Sequence, residues 1–157
     1  MQRKDKEITD IRWIEAVLQS AGICRIACAE DNQPYIVPVC FGYERGSLWF
    51  HSALTGRKID ILRNNPRCCF EVETGVAAIT AETPCGWGMR YQSVIGTGSA
   101  HILEDPKEKR RGLSCIVSHY SADPAGIPEA ALPNVAVVRI AIEKMTGKSS
   151  GYKKDQS

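Results

Sequence analysis

Strand-like runs that follow one another across very short polar turns leave this chain little freedom of fold. Ile23 to Ala29 reads as a strand, Glu30 to Gln33 as a polar turn, and Tyr35 to Tyr43 as a second strand rich in aromatic and β-branched residues. Glu44-Arg45-Gly46-Ser47 makes another tight turn before Leu48 to Ser52. Turns of this length can only reverse the chain, whereas a parallel pair needs a crossover of a dozen or more residues. Three antiparallel strands are therefore expected before residue 53. Residues 67 to 73, Arg90 to Leu103 and Val135 to Ile142 read as further strands, while Thr74 to Gly88 keeps no sustained period.

Helices are fewer. Ile11, Ile14, Val17, Leu18 and Ala21 recur at helical spacing, with Thr9 or Asp10 able to cap the start and Gly22 the end. Arg57 to Asn64 makes a short helix ended by Asn65-Pro66. Asp105-Pro106-Lys107-Glu108 supplies a cap, a proline at the first helical position and an acid in the first turn, predicting a helix to Tyr120. Ala122 to Pro133 reads as a connection. About six strands with two or three helices predict a mainly β, α+β single domain over residues 1–157, an antiparallel barrel with helices attached. Residues 1–8 and 150–157 are expected as flexible tails. Gly96-Thr97-Gly98 falls inside a strand pattern and not between a strand and a helix, so it predicts a bulge or sharp bend and not a dinucleotide fingerprint.

The segment Phe50-His51-Ser52-Ala53-Leu54-Thr55-Gly56-Arg57-Lys58 carries the chemistry. A helix N-terminus presents unpaired N–H groups and the positive end of the macrodipole, and Arg57 and Lys58 add two full charges there. Cations at that end are mildly unfavourable unless an anion joins them. Ser52 and Thr55 offer hydroxyl donors, and Gly56 permits close backbone approach. The pattern predicts a site for a phosphorylated ligand. Ser52 lacks the Gly-x-Ser-x-Gly elbow of a hydrolase nucleophile, and His51 has no evident acidic orienter.

Composition bounds the remainder. Twenty basic and 18 acidic residues leave a net charge of +2, spread along the chain, which demands neither nucleic acid nor an anionic membrane. Seven cysteines without a C-x-x-C pair argue against a disulfide framework and a zinc module, so reduced thiols and no metal are expected. Cys68 and Cys69, adjacent in a strand, should point to opposite faces. The charged start, Met1 to Glu7, and the lack of any long apolar window suggest a cytoplasmic protein.

Pro34-Tyr35-Ile36-Val37-Pro38-Val39, the corner Phe50 to Lys58, the exit Asn65-Pro66 and Tyr91-Gln92-Ser93-Val94-Ile95-Gly96-Thr97-Gly98, in this order and spacing, resemble the FMN-binding split barrels related to pyridoxamine 5'-phosphate oxidase, most closely the nitroimidazole-resistance branch. The resemblance implies an antiparallel split β-barrel. It implies that Arg57 and Lys58 bind the FMN phosphate, helped by His51 or Ser52 and the turn backbone around Ala53 and Gly56, and that Val37, Pro38 and Val39 run along the isoalloxazine. Pro38 has no N–H, so its neighbours are expected to donate. Tyr91, Gln92 and Ser93 match the motif that reaches the flavin in similar proteins, and a homodimer with sites at the subunit interface follows, with Lys148 of one subunit approaching the other's cofactor.

Oxidase members of that family end with an arginine-containing segment, whereas this chain carries Met145-Thr146-Gly147-Lys148, which looks like the nitroimidazole-resistance branch. An FMN-dependent oxidoreductase acting on a small electron-poor acceptor, such as a nitroaromatic, is the expected activity, with His51 as a candidate proton donor and a separate electron donor. The alternatives are a flavin-binding storage or relay module and a haem-binding relative.

Overall fold

A computed structural model describes residues 7–123 and 126–152. Its order is β1 (Glu7–Ile8), α1 (Ile11–Ser20), β2 (Cys24–Glu30), β3 (Gln33–Val39), β4 (Phe41–Glu44), β5 (Ser47–Ser52), α2 (Arg57–Asn64), β6 (Arg67–Ile79), β7 (Gly88–Ile102), α3 (Pro106–Tyr120) and β8 (Ala136–Ser150). Single 3-10 turns lie at Pro84–Gly86 and Glu129–Asn134. Every pairing is antiparallel, the strands run β3-β2-β6-β7-β8-β5-β4, and β1 pairs with β8.

The two short turns work as expected. Asp31 and Asn32 have φ of 48° and 62°, and Arg45 and Gly46 have 47° and 74°. Positive φ at both central residues is the hairpin turn whose twist suits the flanking strands. The expected strand Tyr35 to Tyr43, however, breaks at Cys40. β3 pairs with β2, β4 pairs with β5, and the two pieces end at opposite edges of a sheet that does not close. This is a split barrel, and four strands, not three, lie between α1 and residue 53.

Alternation along the strands fills the inside with Cys24, Ile26, Leu48, Phe50, Phe70, Val72, Val94, Val138 and Ile140. α1 adds Ile14, Val17 and Leu18, and α2 adds Ile59, Ile61 and Leu62. α3 covers the other face of β5 and β8, where Ile116 joins Trp49 and Val137. A Cβ on Gly112 would sit 2.7 Å from both Trp49 and Val137, so glycine lets the helix lie flat on the sheet. Asp10 caps α1 through Arg12 N at 2.9 Å, and Asp105 caps α3 through the N–H groups of Lys107 and Glu108, each at 2.9 Å.

Three strands outrun the sequence pattern. β6 continues to Ile79 through a register shift between Thr74 and Ala77, with Gly75 at φ 64°, so a bulge hides the strand period there. β8 continues past Ile142 to Ser150 because β7 offers partners as far as Tyr91, and a polar ladder there needs no apolar alternation. Glu7 and Ile8 pair with Lys148 and Gly147, and Ser150 pairs with Tyr91, so these three positions of the expected tails are in the sheet. The parts at 1–6 and 153–157 lie outside the described residues. The expected irregularity at Gly96-Thr97-Gly98 appears as a register shift between Thr97 and Gly98 against β8. A side chain at Gly96 would collide with the Phe70 ring.

Candidate functional site

α2 begins differently from the other helices. Its cap, Gly56, has φ 125° and ψ 162°, and no side chain caps the helix start. The N–H groups of Ile59 and Asp60 already bond to Gly56 O, at 2.8 and 3.0 Å, so the amides of Arg57 and Lys58 lead the helix. A Cβ on Gly56 would meet nothing within 4 Å, so the helix end opens onto free space. The Arg57 guanidinium lies 4.9 Å above the Tyr35 ring, and the Lys58 ammonium lies 5.3 Å from the centre of Phe50. Two aromatic rings thus hold the cations at the end of the helix where the dipole opposes them.

The local electrostatics follow from burial. Half-burial holds the Lys58 pKa below its ordinary 10.5, with the neighbouring Cys28 opposing this. Burial raises the Cys28 thiol, and Arg57 and Lys58 pull against that. One anion beside these two cations would relieve both the dipole conflict and the desolvation of Lys58.

β5 delivers the rest of the corner. Ser52 is half-buried opposite Ala136, and Ala53 and Leu54 are exposed in the loop. His51 alternates with buried Phe50, so it stands on the outer face, exposed, opposite Val137. Lys58 packs on the Phe50 side of the strand, so the structure separates these two site residues by the thickness of the sheet.

β3 is a sheet edge, and its backbone can be accounted for. The two-residue turn makes Glu30 and Gln33 a hydrogen-bonded pair, and strict alternation gives the same status to Cys28–Tyr35, Ile26–Val37 and Cys24–Val39. Pro34 and Pro38 then occupy positions that donate nothing to β2, which is where prolines are tolerated. The free edge presents the N–H of Ile36 and the carbonyls of Pro34, Ile36 and Pro38. The expectation that the neighbours of Pro38 donate is thereby corrected: Val37 and Val39 engage β2, and Ile36 is the edge donor.

Tyr91, Gln92 and Ser93 lie on β7, where Lys148 of β8 places its ammonium 5.4 Å from the Tyr91 ring. Along the sheet, Val39 pairs through Cys24 and Val72 to Val94, the neighbour of Ser93, so β3 and β7 are three strands apart in the order. Arg57 over Tyr35 joins Gly56, Arg57 and Lys58 to the β3 edge, while Tyr91 to Ser93 stand on β7, three strands along the sheet order. Sequence reasoning missed Tyr35 as the platform for Arg57 and Cys28 as the thiol beneath both cations; nothing in a single run of residues announces either. Among the described residues no helix is long and apolar enough to cross a membrane.

Comparison with known proteins identifies the family and the fold. The family model described as pyridoxamine 5'-phosphate oxidase matches residues 10–149. An uncharacterised protein of Rhizobium meliloti (strain 1021) is 30% identical over 87 residues, and the match spans 55% of this chain and 56% of that protein. A solved structure of a candidate 5-nitroimidazole antibiotic resistance protein from Bacteroides thetaiotaomicron is 33% identical, with a TM-score of 0.81 over 90% of this chain and 85% of that one. An FAD-binding protein from Mesorhizobium loti is 25% identical, with a TM-score of 0.68 over 93% and 98%. A protein of Mycobacterium smegmatis that binds FAD and haem is 18% identical and shares the fold, with a TM-score of 0.82 over 97% and 77%. The split barrel and a family match running from the start of α1 almost to the end of β8 converge, and the chain belongs to the pyridoxamine 5'-phosphate oxidase family.

Proposed function

We propose that this protein is an FMN-binding flavoprotein that passes electrons to a small electron-poor acceptor, of the nitroaromatic kind. The observation that carries the reading is the uncapped start of α2, with Gly56 open to solvent and Arg57 and Lys58 fixed over Tyr35 and Phe50. These groups fit a dianionic phosphate: amides and dipole supply directed donors, Arg57 supplies a planar fork, and Lys58 a point charge. From Tyr35 to Val39 the β3 edge runs about 13 Å, enough to carry an isoalloxazine beyond the phosphate. Ile36 N–H and the edge carbonyls would offer a donor and acceptors to its polar rim.

Bound flavin supplies hydride and single-electron transfer; the protein positions the ring and shields it. Tyr91, Gln92, Ser93 and Lys148 act on a cofactor held by a second copy of the chain, a reading supported by their place on β7 and β8, three and four strands along the sheet from the β3 edge beside their own α2 corner. The working unit is accordingly a homodimer with two sites at its interface. His51 serves as proton donor only to a ring that reaches β5 from its outer face. The similarity to a nitroimidazole-resistance protein supports the acceptor class.

The test is direct. Purified protein should be yellow, release FMN on denaturation, and be reduced anaerobically by a nicotinamide nucleotide and reoxidised by nitroaromatics. A colourless protein that takes up no FMN refutes the cofactor assignment. Reduced flavin that no acceptor reoxidises favours the storage or relay module, and a Soret band favours the haem-binding relative.

A further inference from the structure

Two thiols face each other in register beneath the α2 corner. Cys28 of β2 is the direct partner of Cys68 of β6, and both point into the barrel on the Tyr35 side of the sheet. The type of pair is fixed from both flanks. Cys28 bonds through its backbone to Tyr35, so it turns no backbone bond toward β6. On the other flank Ala100 N bonds to Pro66 O at 2.8 Å, and the same alternation directs the backbone of Cys68 toward Gly98 of β7. Cys28 and Cys68 are therefore a non-hydrogen-bonded pair, whose Cα atoms stand about 4.5 Å apart with side chains close together. That separation lies inside the range a disulfide spans. At present the Cys68 thiol donates to Gly98 O at 3.5 Å, and a side-chain rotation would turn it to Cys28.

The two thiols are nearly covered, 5% and 7% exposed, so only a small oxidant can meet them. An open basin of about 430 Å³ lies on the other face of the sheet, among Ala27, Cys69 and Thr97, with the strand segments of Cys28 and Cys68 in its floor. Cys69, adjacent in sequence, points to the opposite face of the sheet and is only half-buried. Burial holds the Cys28 thiol above its ordinary value, but Arg57 and Lys58 pull against that, and no such cation offsets burial at Cys68. Cys68 has no cation acting on it, and burial pushes it up to about 12.

We propose that Cys28 and Cys68 form an oxidisable dithiol that closes to an intrachain β2–β6 disulfide when the protein meets a peroxide. Cys28 thiolate attacks the peroxide O–O bond, giving Cys28 sulfenic acid and hydroxide, which takes up a proton to become water. The sulfur of Cys68 then attacks the Cys28 sulfur, the S–O bond breaks, and hydroxide leaves with the Cys68 proton as a second water. Two thiols and one hydrogen peroxide give one disulfide and two waters, and a small dithiol reverses the step.

The test is peptide mapping of the full chain, as purified, after treatment with hydrogen peroxide at neutral pH. One cross-link joining the peptides of Cys28 and Cys68, with a loss of two hydrogens and full reversal by dithiothreitol, is expected. Cys28→Ser and Cys68→Ser should each abolish it while leaving the circular dichroism spectrum unchanged. Arg57→Ala with Lys58→Ala should slow closure by at least about threefold, because the attacking thiolate loses its cations. A cross-link between other cysteines, or unmodified Cys28 and Cys68 at a peroxide level that oxidises exposed Cys40 and Cys85, overturns the proposal. A closure rate indifferent to the charge variants overturns Cys28 as the attacking thiol.

Discussion

Arg57→Ala combined with Lys58→Ala separates a ligand site from a structural one, because the two roles predict different outcomes. In the free protein the two cations oppose the α2 dipole, a cost of about 0.3–1 kcal/mol each. Against this, each gains about 0.5–1 kcal/mol over its aromatic ring, at 4.9 and 5.3 Å. The terms nearly cancel, so the flavin-free variant should unfold in urea within about 1 kcal/mol of wild type. Binding should behave otherwise. Charge-assisted contacts to phosphate are worth about 1.5–3 kcal/mol each, and the exposure of Arg57 argues for the lower end. Losing two removes about 3 kcal/mol, or roughly a hundredfold in Kd. Flavin fluorescence quenching on titration of the flavin-free protein measures this. An FMN affinity within threefold of wild type, in a variant with a native circular dichroism spectrum, would refute the reasoning.

Much of the fold was legible because local signals and tertiary demands agree. Arg57–Asn64 and Pro106–Tyr120 match the predicted helices, since Asn65-Pro66 and Asp105-Pro106 act through backbone chemistry that needs no neighbour. The break at Cys40 was not legible: Tyr35 to Tyr43 is uniformly strand-like, and only the pairing of its halves with β2 and β5 divides it. The reach of β8 to Ser150 was hidden for a related reason, because residues 143–150 follow their partner β7 and not a core. At the corner the sequence showed the charges and the glycine but not Tyr35, which arrives from a strand 22 residues earlier. Hydrogen-bond parity at Pro34 and Pro38 likewise needed the register of the hairpin before Ile36 emerged as the edge donor.

Other expectations follow from the same geometry. Lys58 loses its proton below its ordinary 10.5, and only the charged form attracts phosphate, so FMN affinity should fall as pH rises through the alkaline range; Lys58→Arg, charged throughout, should flatten that fall in the same fluorescence titration. Gly96→Ala should destabilise by about 1–3 kcal/mol in urea unfolding, because its methyl group collides with Phe70; a wild-type midpoint would mean that the β6–β7 contact yields freely. Asp105→Ala removes acceptance from two N–H groups at 2.9 Å and should cost about 0.5–2 kcal/mol in the same assay.

The central claim is that the phosphate of FMN is held by the start of α2. Comparing FMN with riboflavin, which has the same ring and no phosphate, in one titration of flavin-free protein tests it most directly. FMN should bind about a hundredfold more tightly, and the gap should collapse in the Arg57→Ala, Lys58→Ala variant. Equal affinities for the two flavins in the wild-type protein, or a gap that survives in the variant, would contradict the account.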